Sequence, residues 1–129
     1  MDSKKSKDFS SAIPEIEKKI GYAFKDKSLL TQAFTRTSFC NEHKSEKGER
    51  YQSNEVLEFF GDSVLSAAIV TLIINDFSER YAHGIKTELN EGDFSNIKSK
   101  LSDKKNLSDR MKEMGLSRFL RMGEGDVKL

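Results

Sequence analysis

The stretch from Val56 to Ile74 constrains this chain more than any other. It is apolar around almost its whole circumference, through Val56, Leu57, Phe59, Phe60, Val64, Leu65, Ile69, Val70, Leu72, Ile73 and Ile74. A run of that length and character is expected to be a helix at the centre of a domain, not one with a wet face. Yet three carboxylates, Glu55, Glu58 and Asp62, stand at its beginning with spacing i, i+3, i+7. At about 100° per residue they fall within a sector of roughly 60° on one helix face. Carboxylates are rarely taken out of water without a partner, because desolvating the ion is costly. Three on one stripe also repel one another. A hard divalent cation with oxygen ligands is the simplest compensation. Acids that merely face water are the plainer explanation, and the apolar surroundings weigh against it.

The residues Asn54-Glu55-Val56-Leu57-Glu58-Phe59-Phe60-Gly61-Asp62-Ser63-Val64-Leu65 resemble the ribonuclease III signature, N-E-R-L-E-F-L-G-D-[SA]-[VI]-L, and depart from it only at Val56 and Phe60. A second block, Asn90-Glu91-Gly92-Asp93-Phe94-Ser95 with Lys98, Leu101 and Asn106-Leu107 after it, is similar to that family's E-G-[DE]-[LM]-[ST] segment. A third, Phe119-Leu120-Arg121-Met122-Gly123-Glu124-Gly125-Asp126, is similar to its L-x-L-G-x-G-E turn. Upstream, Ile20 to Leu30 resembles its opening helix pair. One departure lies in Phe34-Thr35-Arg36-Thr37-Ser38, where the family's L-T-H-[RK]-S has a histidine in place of Arg36.

The resemblance implies an all-α ribonuclease III nuclease domain, a helical bundle around a long central helix. It covers residues 13–129, with residues 1–12 as a flexible basic arm. It further implies a Mg²⁺-dependent endonuclease of double-stranded RNA acting in RNA processing, with Mn²⁺ as an alternative metal. Glu58 and Asp62 would be direct metal ligands and the catalytic acids. Glu55 and Glu91 would be accessory acids. Phe59 matches an aromatic plug that enters the partner of a homodimer; the plainer expectation is a core residue of its own subunit. The family's A-D-x-x-E helix, with a further Asp and Glu ligand, has no counterpart up to Leu129, nor has a double-stranded-RNA-binding domain. The expectation is an incomplete domain that holds Mg²⁺ poorly and cleaves weakly. The alternatives are a non-catalytic domain that dimerises or docks on RNA, and a helical interaction module whose acidic stripe takes a basic protein. The second and third blocks argue against the last.

Composition agrees with a small helical domain. Apolar residues make up 36% and charged residues 33% of the 129, with a formal net charge of +1, so the whole chain is not a basic nucleic-acid clamp. Positive charge crowds the last third, in Lys98, Lys100, Lys104, Lys105, Arg110, Lys112, Arg118, Arg121 and Lys128. Most of it reads as a solvated face balanced by Asp103, Asp109 and Glu113, with a minority able to meet phosphates. A single cysteine, Cys40, rules out an internal disulfide and suits a reducing cytoplasm. No apolar stretch of membrane-spanning length is free of charge and no secretory leader is visible, so no membrane partner is expected.

Local signals divide the chain further. Pro14 suits the first turn of a helix with Ile16 and Ile20 inward. Asp26 can cap a helix through Leu29, Leu30 and Ala33. Asn41 to Ser53 reads as a loop, and a long helix is expected from about Gln52 to Phe77. Gly61 inside it suggests that another backbone packs close. Helices are also expected from Asp93 or Phe94 and from Asn106 or Leu107 to Met114, the latter closed by Gly115, then a short helical turn from Ser117 to Met122. No strand pattern appears. His43 and His83 read as loop residues, and Tyr22, Tyr51 and Tyr81 form no stacking platform.

Overall fold

The computed structural model describes residues 9–127. They form two compact units. The first unit contains the residues up to Glu58 together with those from Met111 onward, and the second is Phe59–Arg110. The fold is all-α apart from one small hairpin.

The first unit is built from α1 (Ile13–Ile20), α2 (Lys27–Ala33), α3 (Thr37–Glu42), the first turn of α4 (Glu55–Phe77) and the chain beyond Met111. Pro14 sits in the first turn of α1, where a missing amide proton costs nothing. Asp26 caps α2 as expected, its carboxylate accepting from the Ser28 amide at 2.9 Å. The core is Phe9, Ile16, Leu30, Phe34 and Leu116, with Ile13, Phe24, Met111 and Phe119 packed around it. Residues 1–8 of the expected basic arm lie outside the described residues. Residues 9–12 do not continue it: Phe9–Ser11 is a 3-10 turn, and Phe9 is buried against Phe34.

The second unit carries the rest of α4, the hairpin β1 (Ser78–Tyr81) and β2 (Gly84–Thr87), and α5 (Glu91–Ser102). The last helices are α6 (Lys104–Glu113), which runs back into the first unit, and the short α7 (Glu124–Val127) within it. The hairpin pairs Ser78 with Thr87 and Tyr81 with Gly84. It went unseen in the sequence because its residues are largely exposed, so no apolar alternation marks them. Helix α5 begins earlier than expected, at Glu91. Asn90 and Asp93 form a capping box, each side chain accepting from the other's amide, at 2.9 and 3.0 Å. Gly115, with φ +68°, closes α6, and the Leu116 amide reaches back to the Met111 carbonyl at 3.0 Å.

Two expectations for α4 fail. Of its large apolar side chains only Ile69 and Ile73 are buried; Val56, Phe59, Phe60, Val64, Leu72 and Ile74 are exposed. It is apolar all round, as a central helix should be, and within the second unit it is only lightly covered. Gly61 has open space where a Cβ would stand, so no backbone packs against it. By length and composition α4 could also cross a membrane. The carboxylates Glu55, Glu58 and Asp62 along its first two turns argue against that cover, since a charge in hydrocarbon is costly.

Candidate functional site

The start of α4 is clamped to the segment after α2. The Asn54 amide donates to the Thr35 carbonyl at 2.8 Å, and the Asn54 side chain donates to the Ala33 carbonyl at 3.1 Å. The Gln32 side chain holds the Ser53 carbonyl at 3.1 Å. The Asn54 carbonyl then accepts the Glu58 amide at 2.8 Å, which begins the helical ladder. The signature asparagine therefore has a mechanical task, to fix the origin from which Glu55 and Glu58 project.

The anchor itself is rigid. Thr35 is 0% exposed, and its hydroxyl donates to the Thr31 carbonyl at 2.7 Å. The same oxygen accepts from Nε and Nη2 of Arg121 at 3.0 and 2.7 Å. The guanidinium lies over the rings of Phe39 at 4.5 Å and Tyr51 at 4.9 Å. Burial pulls the Arg121 pKa below its ordinary value, opposed by the nearby Tyr51 and Cys40. Main-chain bonds from Arg121 to Phe34 and from Arg36 to Arg121 complete the join, at 2.7 and 3.0 Å. Arg121 is thus an internal strut, not one of the solvated or phosphate-facing cations expected in the last third. Tyr51 has a place beside it, and His43 stacks on Phe39 at 4.3 Å. Cys40 is buried.

On this frame lies an open cleft of about 530 Å³. Its walls are Arg36, Thr37, Ser38 and Asn41 from α3 and its approach, Asn54, Glu55 and Glu58, and Leu120 and Asp126. The Thr37 hydroxyl donates to Glu55 at 2.8 Å and so aims that carboxylate. Ser38 donates its hydroxyl to Asp126 and receives the Gly123 amide. A Cβ at Gly123 would stand 2.5 Å from a Glu42 oxygen and 2.7 Å from the Ser38 carbonyl, so only glycine fits there. The Glu124 amide donates to Glu42 at 2.9 Å. The block Phe34–Ser38 and the turn Gly123–Asp126 were each legible in the sequence as family segments. That they close on one cleft with Glu55 and Glu58 was not, because some 85 residues separate them.

Glu58 and Asp62 stand one turn apart on α4, both exposed, and neither side chain has a hydrogen-bonding or ion-pairing partner among the described residues. Glu91 is exposed in the first turn of α5 and borders a separate, largely apolar groove of the second unit with Val70, Ile73, Ile85 and Phe94. Among the described residues no group of three His, Cys, Asp or Glu is arranged to hold a metal ion. The donor chemistry nonetheless suits a hard cation. Two unengaged carboxylates at i, i+4 match an ion that takes one or two carboxylates and keeps several waters, as Mg²⁺ does. They do not suit a fully caged metal.

A family model described as Ribonuclease-III-like matches residues 26–129. Ribonuclease 3 of Treponema succinifaciens is 38% identical over 88% of this chain and 29% of its own length. Ribonuclease 3 of Roseburia hominis is 36% identical over 88% of this chain and 34% of its own. That of Caldanaerobacter subterraneus subsp. tengcongensis is 40% identical over 86% and 43%. The chain therefore spans less than half the length of each of these relatives.

Proposed function

This chain belongs to the ribonuclease-III-like family, and from that premise we propose that its protein is a divalent-metal-dependent endonuclease of double-stranded RNA that acts as a homodimer in RNA processing. The observation that carries the reading is the pair Glu58 and Asp62, unpartnered among the described residues and one turn apart on a helix whose origin is fixed by Asn54. These two carboxylates would hold Mg²⁺, or Mn²⁺ in its place. When bound, such an ion lowers the pKa of a water and neutralises charge on a phosphodiester. Glu55, aimed by Thr37, stands one turn before Glu58 as an accessory acid. Glu91 has the same role by resemblance, from α5.

Dimerisation is supported by the exposed apolar side of α4. At about 100° per residue, Val56, Phe59, Phe60 and Val64 fill a sector of roughly 140° beside the acidic one. Phe59 is 75% exposed and fits the role of a plug into a second copy, not a core residue of its own subunit. The buried, unpaired thiol of Cys40 fits a reducing cytoplasm.

Labelled RNA duplex with Mg²⁺, incubated with a form extended through the family's A-D-x-x-E helix, tests the reading. Glu58→Ala and Asp62→Ala are expected to abolish cleavage and leave duplex binding intact, because ligands act on the chemical step whereas phosphate contacts hold the duplex. Glu55→Ala is expected to be milder. Cleavage that survives Asp62→Ala would contradict the assignment. Binding without cleavage in every form, wild type included, would point to a docking domain.

A further inference from the structure

Among the described residues lining the cleft beside Glu55, Arg36 is the one cation, and it stands where the resembled L-T-H-[RK]-S pattern has a histidine. We propose that Arg36 is a phosphate-binding residue for the RNA duplex, held in reserve by Asp126. The inference rests on the reading of the protein as a double-stranded RNA nuclease.

Glu55, Glu58 and Asp126 give the cleft negative charge, and a phosphodiester entering it is repelled unless a cation meets it. Among the described side chains lining it, only Arg36 can do so. Its main chain is fixed, since its amide donates to the Arg121 carbonyl at 3.0 Å. Its side chain is free to move: it is 52% exposed, and Nε lies 3.5 Å from Asp126, beyond a good hydrogen bond. Asp126 does not depend on that contact for its position, because the Ser38 hydroxyl also holds it. A guanidinium so loosely paired at a wet surface loses little by leaving one carboxylate. It gains a planar, two-bond fit to phosphate oxygens. Without a ligand, Asp126 keeps the arginine over the cleft; with one, the phosphate replaces Asp126.

Fluorescence anisotropy of a labelled RNA duplex, in EDTA and over a series of salt concentrations, reads this directly. Arg36→Gln is expected to weaken binding about tenfold and to lower the slope of log affinity against log salt by about one. Arg36→Lys keeps the slope. Asp126→Asn, which retains an acceptor for Ser38 but not the competing charge, is expected to bind the duplex a few-fold more tightly. Should Arg36→Gln fail to fold, Asp126→Asn decides alone: unchanged or weaker affinity overturns the proposal. Wild-type affinity and slope in a folded Arg36→Gln overturn it as well, and leave the nuclease reading standing. A wild-type chain that does not bind the duplex at all overturns both.

Discussion

The two units of this protein use similar amounts of apolar side chain to different ends. The first closes a core of its own around Ile16, Leu30, Phe34 and Leu116, and braces it with the Thr35–Arg121 join. The second buries only Ile69 and Ile73, and leaves Phe59, Phe60, Val64, Leu72 and Ile85 in the open. The difference teaches that apolar content alone does not say where a chain keeps its core. The first unit holds a frame steady for Glu55 and Glu58, and the second offers surface for another molecule to cover.

Breaking the second unit's surface is expected to have the largest effect. A two-fold interface uses each residue twice, and a buried aromatic anchor is worth about 2–4 kcal/mol. Phe59→Asp should therefore convert a dimer to a monomer in analytical ultracentrifugation while its far-ultraviolet circular dichroism is unchanged. A wild type that sediments as a monomer at high concentration, or a variant that stays dimeric, removes the interface from the account.

The closed core gives the next effect. Ile16 is 0% exposed, so Ile16→Ala should lower stability by about 2–5 kcal/mol in urea unfolding. In the isolated monomer Val64→Ala, at a position 68% exposed, should change it by less than about 0.5 kcal/mol. Equal losses at both positions would erase the contrast between the units. A smaller loss is expected from Arg121→Lys, which keeps charge but not the fork on Thr35. About 1–3 kcal/mol follows from losing a charge-assisted bond, measured in the same way.

The smallest effect is a pH dependence confined to the first unit. Glu17 has a lowered pKa, first through its hydrogen bond with Lys27, against partial desolvation, and then through the Phe24 amide. Because the folded value lies below the ordinary 4.5, the group's contribution is present above that value and is lost as pH falls through the folded one. Glu17→Gln should flatten the acid limb of stability against pH and leave the neutral region nearly unchanged. An acid limb identical to wild type would exclude this pair as its source.

What was legible in the sequence follows the reach of its signals. Helix α4 stood out because its apolar run is long, and α2 because Asp26 is a strong local cap. Both are properties of neighbouring residues. The exposure of α4 could not be read, since periodicity reports what a helix would bury and not whether anything arrives to bury it. Arg121 was hidden among nine lysines and arginines of the last third, where charge alone suggests solvent. Its role depends on Thr35, Phe39 and Tyr51, all more than sixty residues away. The start of α5 at Glu91, ahead of the expected Asp93 or Phe94, was hidden because Asn90 and Asp93 look like turn formers until their reciprocal bonds are seen. The acids at 55, 58 and 62 were legible from spacing, and the cleft that receives the first two was not.

The central claim is that Glu58 and Asp62 together hold a divalent ion. Titration of the protein with Mn²⁺, followed by water proton relaxation, tests it without requiring turnover. The wild type is expected to show one weak site per chain, competed by Mg²⁺. Glu58→Gln and Asp62→Asn should each abolish it, while Glu79→Gln, on the exposed hairpin, should leave it unchanged. Wild-type enhancement retained in Asp62→Asn would contradict the claim.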